Sequence, residues 1–89
     1  MLRITKVAEH PLRVTFKLEG RIVSEWVALL EHECLTALQE KQLVLLDFSK
    51  VTFISGQGVR MLNNIASQNL QIANCSALLE DLLKGGEEP

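Results

Sequence analysis

Eighty-nine residues are enough for one domain and too few for two, and a core of that size leaves no room for a deep substrate cleft. With 47% hydrophobic residues, 22% charged and a net charge of −2, the composition is that of an ordinary globular domain, and nine Lys and Arg scattered among eleven acids argue against a phosphate-tracking nucleic-acid face. The absence of Tyr, with one Trp and three Phe, leaves no aromatic platform for bases, and no run approaches the roughly 18 apolar residues of a membrane span.

The N-terminus alternates apolar and polar residues, with Leu2 and Ile4 on one face, and has no signal-peptide core. Cys34 and Cys75 lie far apart without framework spacing, so a reduced cytoplasm is the expected compartment. After a turn around Glu9-His10-Pro11, Leu12, Val14, Phe16 and Leu18 alternate with Arg13, Thr15, Lys17 and Glu19. That period of two predicts two antiparallel strands, each with one buried side, the second broken by Gly20.

Ser24 is a residue type that caps helices, and Glu25 follows where the helix dipole favours an acid. Val27, Leu30, Cys34 and Leu38 then recur at helical spacing, with Trp26 on the flank, which predicts an amphipathic helix from Ser24 to Glu40. Leu43-Val44-Leu45-Leu46 is continuously apolar and predicts a central strand covered on both sides or nearly so. Asp47-Phe48-Ser49-Lys50 is expected to end it, with Val51 to Ile54 carrying the chain to the sheet's edge. A second helix is expected from Gly56 to Ser67, with Val59, Leu62, Ile65 and Ala66 inward and Arg60, Asn63 and Asn64 outward. Leu70 to Ala73 reads as a short strand, and Ser76 caps a last helix through Lys84 whose Leu79, Leu82 and Leu83 face the core. The order ββαβαβα implies a small mixed β-sheet with α-helices packed on it, a single α/β domain over residues 1–84. The tail 85–89 has nothing to bury and is expected to be disordered.

The Ser55-Gly56-Gln57-Gly58 turn sits between a strand and a helix, where free N–H groups and a partial positive charge collect. A nucleotide loop would need a following Gly-Lys-Ser/Thr or a third glycine at the proper spacing, and Val59-Arg60-Met61 supplies neither. Arg60 lies one turn in, where it could counter a phosphate or serve as a solvated surface charge. Glu31-His32-Glu33-Cys34 holds ligand-type residues, but successive helix positions diverge, so no metal site is expected. Neither His10 nor His32 is placed to activate a Ser or Cys; no catalytic residue and no cofactor are expected. Cys75 reads as a small apolar residue and Asp47 as an Asx-type cap on the Ser49-Lys50 turn.

"LVLLDFSKVTFISGQGVRML" resembles the central signature of STAS domains, the fold of bacterial anti-sigma-factor antagonists, in which a hydrophobic strand ending in Asp leads through an apolar-Phe-Ile segment to an Asp-Ser-Ser-Gly type loop. "FKLEGRIV" upstream is similar to that family's Leu-x-Gly-x-Leu-Asp strand, and "LQIANCSALLEDLL" to its last strand and helix. The resemblance implies a non-catalytic interaction module whose loop serine is phosphorylated by a partner kinase. Position by position, the loop Asp falls on Ser55, the first serine on Gly56, the phosphorylated serine on Gln57 and the glycine on Gly58; the family's strand-end Asp falls on Val23. With no hydroxyl at Gln57, the usual switch is missing, and Ser55 is the neighbouring phosphorylation candidate, in competition with its role as cap oxygen. The implied docking surface comprises Ser49, Ser55, Gly56, Gln57, Gly58 and Arg60. The implied partner is an anti-sigma kinase-type regulator, with the ATPase of an ABC lipid transporter as the alternative and nucleotide sensing a weaker one; a homodimer is compatible with the chain.

Overall fold

The computed structural model describes residues 1–85. Strands β1 (Leu2–His10) and β2 (Arg13–Ile22) are followed by helix α1 (Glu25–Gln39), strand β3 (Leu43–Ile54), helix α2 (Gly56–Ile65), strand β4 (Leu70–Ala73) and helix α3 (Ala77–Gly85), which is the expected order. They form one four-stranded mixed sheet in the order β1-β2-β3-β4. β1 is antiparallel to β2, while β2 with β3 and β3 with β4 are parallel. The expected tail overlaps the last helical residue, Gly85; residues 86–89 lie outside the described residues. Among the described residues, no helix is long and apolar enough to cross a membrane.

Alternation sets the layers. Val14, Phe16 and Leu18 of β2 and Val44, Leu46 and Phe48 of β3 are buried, and Val27, Leu30 and Cys34 of α1, Val59 and Leu62 of α2 and Leu79 of α3 join them in one core. The opposite face of the sheet is open. Leu43 is 43% exposed and Leu45 only half-buried, so the apolar run at 43–46 is covered on one side and not on both. A continuous apolar run in a parallel strand carries no mark of which face the crossover helices take.

Other expectations are corrected at the ends of elements. The first turn falls at Pro11-Leu12, so Leu12 is 67% exposed rather than inward; its carbonyl accepts from the Leu43 N–H at 2.9 Å. Gly20 does not end β2: it pairs with Leu2 inside the ladder at φ +108°. The Asp47-to-Lys50 stretch does not end β3 either. Lys17 pairs with Asp47 but Glu19 with Lys50, and Gly20 with Val51 but Arg21 with Phe53, so β3 absorbs an extra residue at each of two irregularities and runs on unbroken. Ser24 occupies the N-cap position without a side-chain capping bond, at φ 53°. The backbone carbonyls of Val23 and Ser24 start α1 instead, accepting from Trp26 and Val27 at 3.0 and 3.1 Å. α2 stops at Ile65, two residues short, because Ala66 is extended (φ −57°, ψ 134°) and exposed as the chain turns back toward β4.

At the β1 edge the pairing skips between Lys6 and Ala8, which bulges the strand at Val7. Lys6 lines a depression with Ile4, Phe16, Leu29 and Glu33. Gln42 is a buried polar residue that sequence reading passed over; its Nε2 donates to the His10 carbonyl at 3.2 Å and ties the β1–β2 turn to the start of β3.

Candidate functional site

The α2 turn begins where β3 ends beside β2. The Ser55 N–H donates to the Ile22 carbonyl at 3.0 Å, which fixes the end of β3 against β2. Ser55 is extended (φ −78°, ψ 165°), and its Oγ accepts from the Gly58 N–H at 3.1 Å, the geometry of a helix N-cap. The Ser55 carbonyl accepts from the Val59 N–H at 2.9 Å and closes the first turn. No acid stands in that turn.

The two glycines have different roles. Gly58 is buried, and a Cβ there would lie 2.8 Å from Ile54 Cγ1, 3.2 Å from Ile22 Cγ2 and 3.3 Å from the Ile22 carbonyl oxygen. Its missing side chain lets α2 settle on the ends of β2 and β3. Gly56 is exposed, and its Cβ would meet only Arg60 Nη1, at 3.5 Å. Gly58→Ala should lose about 1–3 kcal/mol to overpacking, of which at most about 1 kcal/mol returns as helix propensity. Gly56→Ala should be neutral or stabilising by up to about 1 kcal/mol. Equal urea midpoints for the two variants would show that Gly58 is not a packing glycine.

Of the expected surface residues, Gly56, Gln57 and Arg60 come together on the exposed side of the turn. Val59, Met61 and Leu62 face the core. Ser55 is half-buried with its hydroxyl engaged, and Gly58 has no free face. Ser49 is exposed but lies six residues back along β3, up to about 20 Å away in an extended strand. There its N–H donates to Asp47 Oδ1 at 2.9 Å, and Asn74 Nδ2 donates to the same oxygen at 3.0 Å. Asp47 is therefore a clamp between the β3 irregularity and the end of β4. The Asn74 and Ser49 hydrogen bonds hold its carboxyl below the usual carboxylate range. Their contribution is present at neutral pH and is lost as pH falls through the lowered value.

Glu31-His32-Glu33-Cys34 does not converge: His32 is exposed and Cys34 is fully buried, its thiol pushed up to about 12 by burial with Glu33 adding to it. Burial also raises the half-buried Cys75 thiol. His10 is exposed, with Nδ1 accepting from the Leu12 N–H at 3.2 Å. Sequence reading missed two further features. An open depression of about 230 Å³ between α1 and α2, lined by Val27, Ala28, Glu31, Gln57, Arg60 and Met61 among others, extends the exposed turn onto α1. The Arg21 guanidinium stands 5.2 Å from the centroid of the Phe53 ring; the register that pairs them cannot be read from either residue's neighbours.

A STAS domain family model matches residues 4–79, and the chain belongs to the STAS domain family. No curated protein matches the sequence significantly. Among solved structures, the chain is similar to the anti-sigma factor antagonist SpoIIAA in its unphosphorylated form, with a TM-score of 0.67 and 18% identity over 92% of this chain and 82% of that one. At that identity the likeness is one of fold.

Proposed function

We propose that this STAS domain is a single-domain, non-catalytic module of bacterial regulation that acts in the cytoplasm by docking a protein partner through the N-terminal turn of α2. The partner is a regulator of the anti-sigma kinase type, and docking is not switched by phosphorylation at position 57. The observation that carries this reading is the division of labour in the turn. Ser55 Oγ is held by the Gly58 N–H and Gly58 is buried, while Gln57 and Arg60 are exposed. The outward side chains are thus free for contact and carry no phosphoacceptor hydroxyl. The family membership and the SpoIIAA-like fold support a module of this kind.

Gln57→Glu tests it. A carboxylate near a helix N-terminus is tolerated by the dipole, so stability should shift by less than about 1 kcal/mol. A partner seated on the turn would meet a new, partly desolvated charge and should be lost from a pull-down, a penalty of a few kcal/mol, roughly 2–5. Wild-type and variant proteins are immobilised, exposed to native-host extract and compared alongside thermal melts. The same partners retained at the same strength by both would remove the turn from the interface.

A further inference from the structure

The face of the sheet turned away from the helices holds four charges at its centre. Lys17 of β2 is in register with Asp47 of β3, and Glu19 with Lys50, so the signs form a checkerboard. All four point away from the core, because they flank the buried Phe16, Leu18, Phe48 and Val51 of their own strands. The first irregularity of β3 makes the pattern: without its extra residue Ser49, not Lys50, would stand opposite Glu19. Among the described residues the one ion pair is Lys6 with Glu9 at 3.6 Å, so none of the four is paired within its own chain. The face is apolar toward both ends. Leu43 is 43% exposed and Leu45 half-buried at one, and Phe53 is 38% exposed at the other, with the Arg21 guanidinium over its ring. The three parallel strands β2, β3 and β4 are bare on this side, although parallel strands are normally covered on both.

We infer that this face is a self-complementary interface joining two copies of the chain sheet to sheet, about a twofold axis that runs along the β2–β3 seam. That rotation lays β2 of each copy over β3 of the other. Lys17 then meets Asp47, Glu19 meets Lys50 and Arg21 meets Phe53 of the second copy, each contact made twice, and the leucines of both copies gather at one end. A twofold across the strands would also oppose the central charges, as Lys17 on Glu19 and Asp47 on Lys50, but would set the leucines over the Arg21 end. Aligned sheets pack with their strands within about 30°, which keeps the central rows in contact and splays the corners. Arg3 on β1 and Arg13 at the start of β2 lie toward those corners, where solvent and salt screen the excess positive charge. Three strands and part of a fourth at ~4.8 Å, by about eight rises of ~3.3 Å, give a flat area of roughly 450 Å² a copy. Side-chain relief brings the total for two copies to about 1,000 Å², the lower end for a specific interface, so the dimer is weak and reversible. A nucleic acid or an anionic bilayer would instead meet the carboxylates of Glu19 and Asp47 at the centre of the face. The interface is independent of the docking reading, because α2 packs on the other side of the sheet.

Sedimentation equilibrium of the full chain, up to about 1 mM, compares wild type, Glu19→Lys, Lys50→Glu and an equimolar mixture of the two variants. Wild type should dimerise reversibly, and less so at high salt. Each variant alone sets like charges together in both copies of one contact and should dimerise at least about tenfold more weakly. Melts should stay cooperative, because neither side chain is buried. The mixture should recover association, because the two changed charges then face each other and the two unchanged ones do likewise. In the ¹⁵N-labelled wild type, dilution should move the amide resonances of residues 17, 19, 47 and 50 and spare those of α2, a readout that needs no variant. A wild type that stays monomeric at about 1 mM overturns the inference and leaves the face to a different occupant. Association retained by both variants, or dilution shifts confined to the helices, overturns it by moving the contact to another face. A mixture that stays monomeric overturns the axis along the seam.

Discussion

Leu62→Ala should lower the stability of the domain by about 2 to 5 kcal/mol. Leu62 is 3% exposed and stands one turn beyond Gly58 on the inner side of α2, next to Met61 and one turn from Val59. α2 has only ten residues, too few to hold helical structure without its packing. Removing three carbons from its buried side both withdraws apolar surface and leaves a cavity that the surrounding core fills only in part. Against a total of roughly 5–15 kcal/mol for a natural domain, the loss is large. At about 4–8 °C per kcal/mol for a chain of this size, it should lower Tm by at least about 8 °C. The measurement is a urea titration with an unchanged slope and a lowered midpoint. A loss under about 1 kcal/mol would mean that α2 is not anchored through this side chain. The contrast with Gln57→Glu is informative because the residues are close in one helix: the first substitution should affect folding and spare contact chemistry, the second the reverse.

Gly20→Ala should be comparably damaging, on the order of 2–4 kcal/mol, through a different cause. At φ +108° an alanine is strained whatever surrounds it, and a Cβ here would overlap the Met1 carbonyl oxygen, a backbone atom that accepts from the Arg21 N–H at 3.0 Å. Relief would require β1 to shift away, breaking that bond and loosening the pairing of Gly20 with Leu2. The check is hydrogen exchange together with a melt: protection of the Arg21 amide should fall in step with Tm. An alanine variant as stable as wild type, with Arg21 still protected, would show that the strand end has slack.

Where burial repeats with a period, the elements could be read directly from the residues. The alternation at 14–18, the helical spacing of Val27, Leu30 and Cys34, and the paired apolar positions Val59 and Leu62 depend on local geometry alone, and all lie where that geometry puts them. Features that depend on a distant strand could not be read. Leu43 and Leu45 look like core residues until it is known which face the helices take. Gly56 and Gly58 are indistinguishable in sequence, and the packing of Ile54 and, from β2, of Ile22 against Gly58 tells them apart. Ser24 has the right side chain for a cap, but the exit from β2 bends its backbone to φ 53°, and backbone carbonyls start the helix in its place. At the candidate site, the exposed Gln57 and Arg60 followed from helix phase, whereas the stacking of Arg21 on Phe53 followed only from two extra residues in β3.

The bulge at Val7 has a consequence for life in a crowded cell. A sheet invites strangers at its borders, where unpaired backbone groups offer a template to any extended chain. Here one border is β4, four residues long and paired with β3 only over Val44 to Asp47, and the other is β1, bent at Val7 and carrying the ammonium of Lys6 beside the apolar floor formed by Ile4 and Phe16. A newcomer could follow β1 for a few residues before the bulge put it out of step, and it would have to bury a positive charge to stay. Strand addition along β1 is therefore discouraged by the shape and charge of that border.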